Sequence, residues 1–408
     1  MVPIQLNCSD SYPLPGYYLR IHSSVFQDVR RVSRQGLLFL SSLHTSGITT
    51  QKPFKHTPKL TAIMELNLLN QEEIATLRNL LSNATNIVIC AHKSPDGDAT
   101  GSSLAWMHYL NQIGKTNIKV CMPDATPDFL HWLPGHNSVI RYDRRPKEVE
   151  KAFKEADLVC CLDFNQNSRV DAMQEVLESS TAPRLLIDHH LEPETNNALT
   201  VSHPEMSSTC EIVFRLISQL DGYEKMTTQC ASCIYCGMMT DTGGFTYNSS
   251  RPEIFYIIGQ LLAKNIDKDE IYNRVFHNYS TNALRLRAHI ILNKMKVIEE
   301  LHASYYTVTK EEMTQFHFIK GDMEGLVNIP QQIKGLKLSI SLREDTEKPK
   351  TVLVSLRSCN GFHCQPMAAK FFNGGGHADA SGGRLNCTIE EAEQIAIKAI
   401  LYYKEELQ

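Results

Sequence analysis

Four short stretches of the chain gather aspartate and histidine at spacings that suit a divalent metal centre. In His92-Lys93-Ser94-Pro95-Asp96-Gly97-Asp98, two carboxylates stand one residue apart behind an imidazole, and Pro95 and Gly97 force a tight loop. Oxygen and imidazole donors of this kind suit Mn²⁺ or Mg²⁺ better than an ion that prefers thiolates. Asp163 ends the apolar run DLVCCL, Asp188-His189-His190 ends another, and Asp241 lies in Met239-Thr240-Asp241-Thr242-Gly243-Gly244-Phe245. A carboxylate closing a buried strand is costly unless something positive meets it. Any one of the four could be a loop-capping aspartate, but four such ends in one region are poorly explained that way. A fifth stretch, Gly374-Gly375-Gly376-His377-Ala378-Asp379-Ala380-Ser381, is dense in glycine, which lets backbone N–H groups approach an anion closely.

The elements that must carry these residues alternate. Asn86–Cys90, Ile118–Met122, Leu158–Leu162 and Arg184–Ile187 read as short buried strands, and Thr100–Ile113 has helical spacing. Continuous apolar strands between helices imply a parallel sheet covered on both faces, with the motifs at its carboxyl edge. An amphipathic helix follows Met64, with Asn70 and Glu73 at capping-box spacing. Helices are then expected over Thr209–Leu220, Thr227–Met239, and Arg251 to about Val297 with breaks at Asp267 and Ser280. A second unit follows: strands at Ser304–Thr309, Leu336–Arg343 and Thr351–Arg357, helices at Pro366–Phe372 and Ile389–Tyr403. The expected fold is α/β, with a parallel-sheet catalytic domain over 64–262, a helical connector over 263–300, a smaller α/β substrate-binding domain over 301–408, and the active site in the cleft between them.

The 408-residue chain has a net charge of −4, but residues 1–63 carry seven Lys/Arg against two acids, leaving −9 over residues 64–408. So acidic a body is a poor match for long duplex nucleic acid, whose binding rests on neutralising many phosphates. Residues 1–63 show no sustained periodicity and read as a disordered extension ahead of Met64; a basic transit-type leader and an extra structured element are the alternatives. No run approaches the roughly 18 apolar residues of a membrane helix. Twelve irregularly spaced cysteines point to a reducing compartment, hence the cytoplasm.

HKSPDGDATGSS, CCLDFN, LLIDHH and MTDTGGF resemble, in order, the four motifs of the DHH phosphoesterase superfamily, and VSLRSCN with AAKFFNGGGHADASGG resembles its DHH-associated domain. Chain length and the RS plus GGGH signature resemble the nanoRNase/pAp-phosphatase branch in particular. The resemblance implies two metal ions, with Mn²⁺ expected and Mg²⁺ an option. One would take His92, Asp96 and Asp163, and the other Asp98, Asp163, His189 and Asp241, so that Asp163 bridges. A hydroxide held between the ions would attack the phosphate. His190 would meet the scissile phosphate or leaving oxygen. On the second domain, away from the metals, Arg357, Gly375, Gly376, His377 and Ser381 would hold a remote phosphate, with Arg343 a weaker candidate.

The activity expected is exo-acting hydrolysis of short oligoribonucleotides and adenosine 3′,5′-bisphosphate. A phosphodiesterase for cyclic or linear di-adenylate and a non-catalytic nucleotide- or RNA-binding module are the alternatives. Partners would be small nucleotides or short RNA, with no membrane; the chain could pair as a homodimer. Cys230, Cys233 and Cys236 invite a zinc reading, but in an apolar helix with no second pair they read as small buried residues. Ser207-Ser208-Thr209 reads as an N-cap cluster.

Overall fold

The first sheet is built from β1 (Asn86–Cys90), β2 (Asn117–Met122), β3 (Ile140–Arg141), β4 (Leu158–Leu162), β5 (Arg184–Asp188) and β6 (Leu199–Ser202). These were obtained from a computed structural model, which describes residues 66–408 except Thr195. All pairings in this sheet are parallel, in the order β3-β2-β1-β4-β5-β6. The chain therefore runs outward from β1 to β2 and β3, then returns to β4 on the other side of β1. Residues 1–63 and the start at Met64 lie outside the described residues.

Strand alternation sorts the first core. Ile87 and Ile89 pack with residues of α2 (Gly97–Gln112), α5 (Thr209–Gln219) and α6 (Thr228–Asp241), after α1 (Gln71–Asn83) has opened the described chain. Val88 and Cys90 point the other way, against α3 (Pro146–Glu155) and α4 (Gln174–Ser179). Both faces are covered, as continuous apolar strands require. The capping box at α1 is present: the Asn70 side chain accepts from the N–H groups of Glu72 and Glu73, and Glu73 accepts from the Asn70 N–H. Helix α2 begins at Gly97 rather than Thr100, because the Asp96 carboxylate accepts from the N–H groups of Asp98 and Ala99 and caps the earlier turn.

Helices α2 and α6 approach closely at two glycines. A Cβ at Gly101 would come within 2.6 Å of the Cys233 carbonyl oxygen, and one at Gly237 within 2.2 Å of Cys210 Sγ and 2.9 Å of Asp98 Oδ1. Cys230, Cys233 and Cys236 are buried in this part of the core, filling it with little volume.

The stretch after Arg251 divides into α7 (Pro252–Leu262), α8 (Lys268–Phe276) and α9 (Thr281–His289), with Asp267 and Ser280 each accepting N–H groups as N-caps. The helix does not continue to Val297: Lys296–Ile298 forms β7, pairing antiparallel with β8 (Ala303–Val308). The edge pairing satisfies the backbone that a further helical turn would have satisfied. With β9 (Leu338–Glu344), β10 (Val352–Ser358), β11 (Gly375–Gly376) and β12 (Ala380–Leu385), these make a second sheet in the order β11-β12-β10-β9-β8-β7. Only β8 and β9 pair in parallel. Helices α11 (Gln365–Phe371) and α12 (Ile389–Tyr402), which follow α10 (Lys310–Gln315), share a core with Leu338, Ile340 and Leu356. Leu286 and Ile290 pack with Tyr306, Val308 and Met313 in a separate cluster. Among the described residues, no helix is long and apolar enough to cross a membrane.

Candidate metal centre

The order β3-β2-β1-β4 places the topological switch between β1 and β4, and the crevice outside the carboxyl ends of such strands is where open parallel sheets bind ligands. His92, Asp96 and Asp98 follow β1, Asp163 follows β4, and His189 and His190 follow Asp188 at the end of β5. Asp241 is the last residue of α6. All six expected ligands are thereby brought to one place.

Asp163 lies at its centre. Its Oδ2 is 3.5 Å from His92 Nε2, and its Oδ1 is 3.6 Å from His189 Nε2. His92 Nε2 is also 3.8 Å from Asp96 Oδ2, while His189 Nε2 is 3.8 Å from Asp98 Oδ2 and 3.5 Å from Asp241 Oδ2. The donors thus sort into His92, Asp96 and Asp163 on one side and Asp98, His189 and Asp241 on the other. Asp163 has φ 63°, the left-handed region, where a non-glycine residue is strained. Its neighbours hold it there: its N–H donates to the Ile187 carbonyl at 3.0 Å, and Thr209 Oγ1 donates to its Oδ1 at 2.9 Å.

The remaining contacts aim the ligands. His92 Nδ1 is 2.8 Å from the Lys93 carbonyl oxygen, which makes Nδ1 the N–H and leaves Nε2 facing the carboxylates. His189 Nδ1 lies 3.4 Å from the Met206 carbonyl oxygen to the same effect. The first N–H groups of α5 close on Asp98: Thr209 donates at 2.6 Å and Cys210 at 2.9 Å. A helix N-terminus is a natural seat for a carboxylate. The N-cap reading of Ser207-Ser208-Thr209 holds for Ser208, which accepts from the Glu211 N–H. It missed Thr209, whose hydroxyl and N–H serve two ligands; nothing in the local pattern separates a cap from a residue that reaches across the sheet.

Electrostatics expose the excess of negative charge. Burial pulls His92 down, but the hydrogen bond to Asp163 and the charges of Asp96 and Asp163 outweigh it and raise its pKa to about 9. His189 rises to about 9 against its burial through Asp241, Asp163 and Asp98. Burial pushes Asp241 up to about 6, and burial with Asp163 and Asp241 raises Asp98. Asp163 is held below the usual carboxylate range: burial pushes it upward, yet the hydrogen bond to His92 and the neighbouring imidazoles prevail. Imidazoles raised by carboxylates, and carboxylates raised by burial and by one another, mark a cluster rich in negative charge; divalent ions with oxygen and nitrogen ligands fit the donor set.

His190 adjoins the same cluster, its Nδ1 3.9 Å from Asp163 Oδ1, but its partner is Asp188. Its Nδ1 is 2.7 Å from Asp188 Oδ1 and its N–H donates to Asp188 Oδ2 at 3.1 Å, so Asp188 fixes both backbone and ring. The expectation that His377 sits away from the metals is corrected here. The His377 ring lies 4.5 Å from that of His190, inclined at 23°, and 4.6 Å from that of His189. Burial and the two nearby imidazoles lower its pKa to about 3, so it is neutral at neutral pH.

The hairpin of β11 and β12 delivers it. Gly374 and Gly376 are needed for backbone packing: a Cβ at Gly374 would meet the Gly382 carbonyl oxygen at 1.8 Å, and one at Gly376 the Ala380 carbonyl oxygen at 2.7 Å. Gly375 has open space beside it. Ser381 Oγ donates to the His377 carbonyl at 2.8 Å, holding the turn. Arg357, at the end of β10, donates to the Leu356 carbonyl at 2.9 Å, and its charge reaches Glu324 and Tyr247. Arg343 lies over the Phe318 ring at 5.3 Å.

Comparison with known proteins gives a consistent pattern. The model of the DHH family, N-terminal domain, matches residues 86–238, and that of the DHHA1 domain matches residues 304–405. A solved structure of an exopolyphosphatase-related protein from Bacteroides fragilis is 47% identical with a TM-score of 0.79, over 84% of this chain and 99% of that one. The bifunctional oligoribonuclease and PAP phosphatase NrnA of Thermus thermophilus is 29% identical over 317 residues, 77% of this chain and 89% of its own length. The cyclic-di-AMP phosphodiesterase PdeA of Listeria monocytogenes is 24% identical over 339 residues, 81% of this chain and 50% of its own length.

Proposed function

This chain belongs to the DHH family and carries the DHHA1 domain, and we propose that it is a two-metal phosphoesterase acting on short oligoribonucleotides and adenosine 3′,5′-bisphosphate. The observation that carries the reading is Asp163, whose two oxygens face different imidazoles, His92 and His189, in two adjoining donor sets. His92, Asp96 and Asp163 would hold one divalent cation, and Asp98, Asp163, His189 and Asp241 the other. Bound there, Mn²⁺ or Mg²⁺ would supply the positive charge that activates water and offsets the charge of the attacked phosphate.

The protein's own groups account for the rest. Thr209 and the start of α5 fix Asp98 and Asp163 before any ligand arrives. Asp188 takes His190 Nδ1, so His190 Nε2 is the atom offered to the phosphate or the leaving oxygen. His377, neutral and stacked on His190, offers a further N–H donor. Arg357 and, less directly, Arg343 would grip a second phosphate, which a dinucleotide or a bisphosphate has and a simple monoester lacks. The similarity to NrnA supports this substrate class. The similarity to PdeA supports a second reading, hydrolysis of cyclic or linear di-adenylate at the same site.

The test is turnover of short RNA, adenosine 3′,5′-bisphosphate and cyclic di-adenylate side by side, with and without Mn²⁺. Metal-dependent cleavage of the first two supports the main reading. Cleavage of the cyclic dinucleotide alone would replace it with the second, and binding without turnover of any would reduce the chain to a nucleotide-binding module.

A further inference from the structure

The loop that carries His92 and Asp96 turns at Ser94, a non-glycine residue with φ 54°. A left-handed serine needs something to hold it. The Ser94 N–H donates to Asp124 Oδ1 at 2.6 Å, and the Ser94 hydroxyl reaches Asp124 Oδ2 at 3.4 Å. Asp124 follows β2, so this brace lies within the first sheet's own half of the chain. The other oxygen of the carboxylate is claimed from elsewhere: Lys320 Nζ donates to Asp124 Oδ2 at 3.0 Å and to the Ala125 carbonyl at 2.5 Å.

Lys320 sits between α10 and β9, in the half that carries the second sheet. Its loop is itself well tied. Asp322 Oδ2 accepts from the Ile319 N–H at 2.9 Å, and Arg287 Nη1 donates to the carbonyls of Asp322 and Glu324 at 3.2 and 2.8 Å. Gly321, with φ +109°, lies close enough to Phe129 that an added Cβ would come within 3.3 Å of the ring. One carboxylate therefore joins the strained turn between two candidate metal ligands to a lysine from the opposite half.

We propose that Asp124 and Lys320 are positioning residues: Asp124 sets the His92–Asp96 loop for its cation, and Lys320, arriving with the second half, holds Asp124 in that orientation. Binding of the ion in the His92, Asp96 and Asp163 set is thereby coupled to how the two halves are docked. The inference rests on the two-metal reading and adds to it a device outside the ligand set.

Mn²⁺ titration of the full-length chain, followed by calorimetry and by electron paramagnetic resonance, tests it without an activity readout. Wild type should bind two ions. Removing outer partners of metal ligands costs roughly 10–100-fold in affinity. Asp124 acts one residue further out, through Ser94, so Asp124→Ala should weaken one ion by about 10-fold, the low end of that scale, and leave the other unchanged. Lys320→Ala should weaken the same ion by a smaller factor, and Lys320→Arg should restore it. The double variant should bind no more weakly than Asp124→Ala, because Lys320 acts through Asp124. Unchanged affinity in Lys320→Ala, or full additivity in the double variant, overturns the coupling while leaving the two-metal reading standing. A wild-type chain that binds no Mn²⁺ overturns the two-metal reading, and the coupling with it.

Discussion

His377, from the hairpin of the second sheet, stacks on His190 of the Asp-His-His motif, the ring centroids 4.5 Å apart and the planes inclined at 23°. The cluster is therefore assembled from both halves of the chain, and of the candidate substrate-holding residues of the second half, His377 and Arg357 would have different tasks. On the proposed function His377 would meet the reacting phosphate, whereas Arg357 would hold the second one.

That difference is measurable. His377→Ala should lower kcat by about 10²-fold, the scale for one transition-state donor, on a dinucleotide and on a small chromogenic phosphodiester alike. Arg357→Ala should lower kcat/KM on the dinucleotide by ~2–4 kcal/mol, the scale for a charged hydrogen-bonded contact, and hurt the chromogenic ester much less. Equal losses on both substrates in Arg357→Ala would move it into the chemical step. A His377→Ala loss confined to the dinucleotide would return that residue to remote binding.

Asp163→Asn keeps the size of the side chain but not the two charged oxygens that face His92 and His189. Turnover should fall to background and Mn²⁺ content should drop for both ions, as read by elemental analysis after gel filtration. Full metal content in this variant would show that Asp163 is not shared.

Thr209→Val is close to isosteric and retains the backbone N–H that donates to Asp98 at 2.6 Å, losing only the hydroxyl at 2.9 Å from Asp163. Mn²⁺ affinity should fall about 10-fold, the low end for an outer-sphere partner, with little change in melting temperature. Ser208→Ala should behave in the opposite way, because its hydroxyl caps α5. A loss of about 1 kcal/mol in stability with unchanged metal affinity is expected. If both variants lose only stability, Thr209 is no more than part of the cap.

His136 offers a pH signature from a group outside the candidate ligand set. Its Nε2 lies 2.7 Å from Thr126 Oγ1, and burial, helped by the neighbouring His131, lowers its pKa from 6.5 to about 4. Between those values the unfolded chain takes up a proton that the folded ring refuses, so the contribution of His136 to stability is full above pH 6.5 and is lost as pH falls toward 4. His136→Gln should flatten that decline in urea denaturation series at successive pH values. A slope identical to wild type would mean that the ring is protonated in the fold.

Much of this architecture was legible because its signals are local. The apolar runs at Asn86–Cys90 and Leu158–Leu162 became β1 and β4 with the bounds expected, and Asp267 and Ser280 broke the long helical stretch by capping its successors. The clustering of the candidate ligands was legible because aspartate and histidine recur at strand ends. What the sequence hid is what distance in the chain hides. β3 is two residues long, and β11 and β12 are so rich in glycine that they read as a phosphate-binding turn, although Gly374 and Gly376 answer to backbone crowding. That His377 meets His190, and that Thr209 meets Asp163, depends on how separate elements dock, which no local periodicity encodes.

On the two-metal proposal, the close approach of α2 and α6 at Gly101 and Gly237 would bear on which ion the centre accepts. Asp98 stands at the start of one helix and Asp241 at the end of the other, so the spacing of these two donors is inherited from a backbone contact that no side chain can relax. Mg²⁺ demands shorter bonds and stricter octahedral geometry than larger, more tolerant cations. A wider residue at Gly237 would press on Cys210 and Asp98 and pry the donors apart, shifting preference toward larger ionic radii. On the two-metal proposal, ion choice would thus rest partly on two glycines that are not among the candidate ligands.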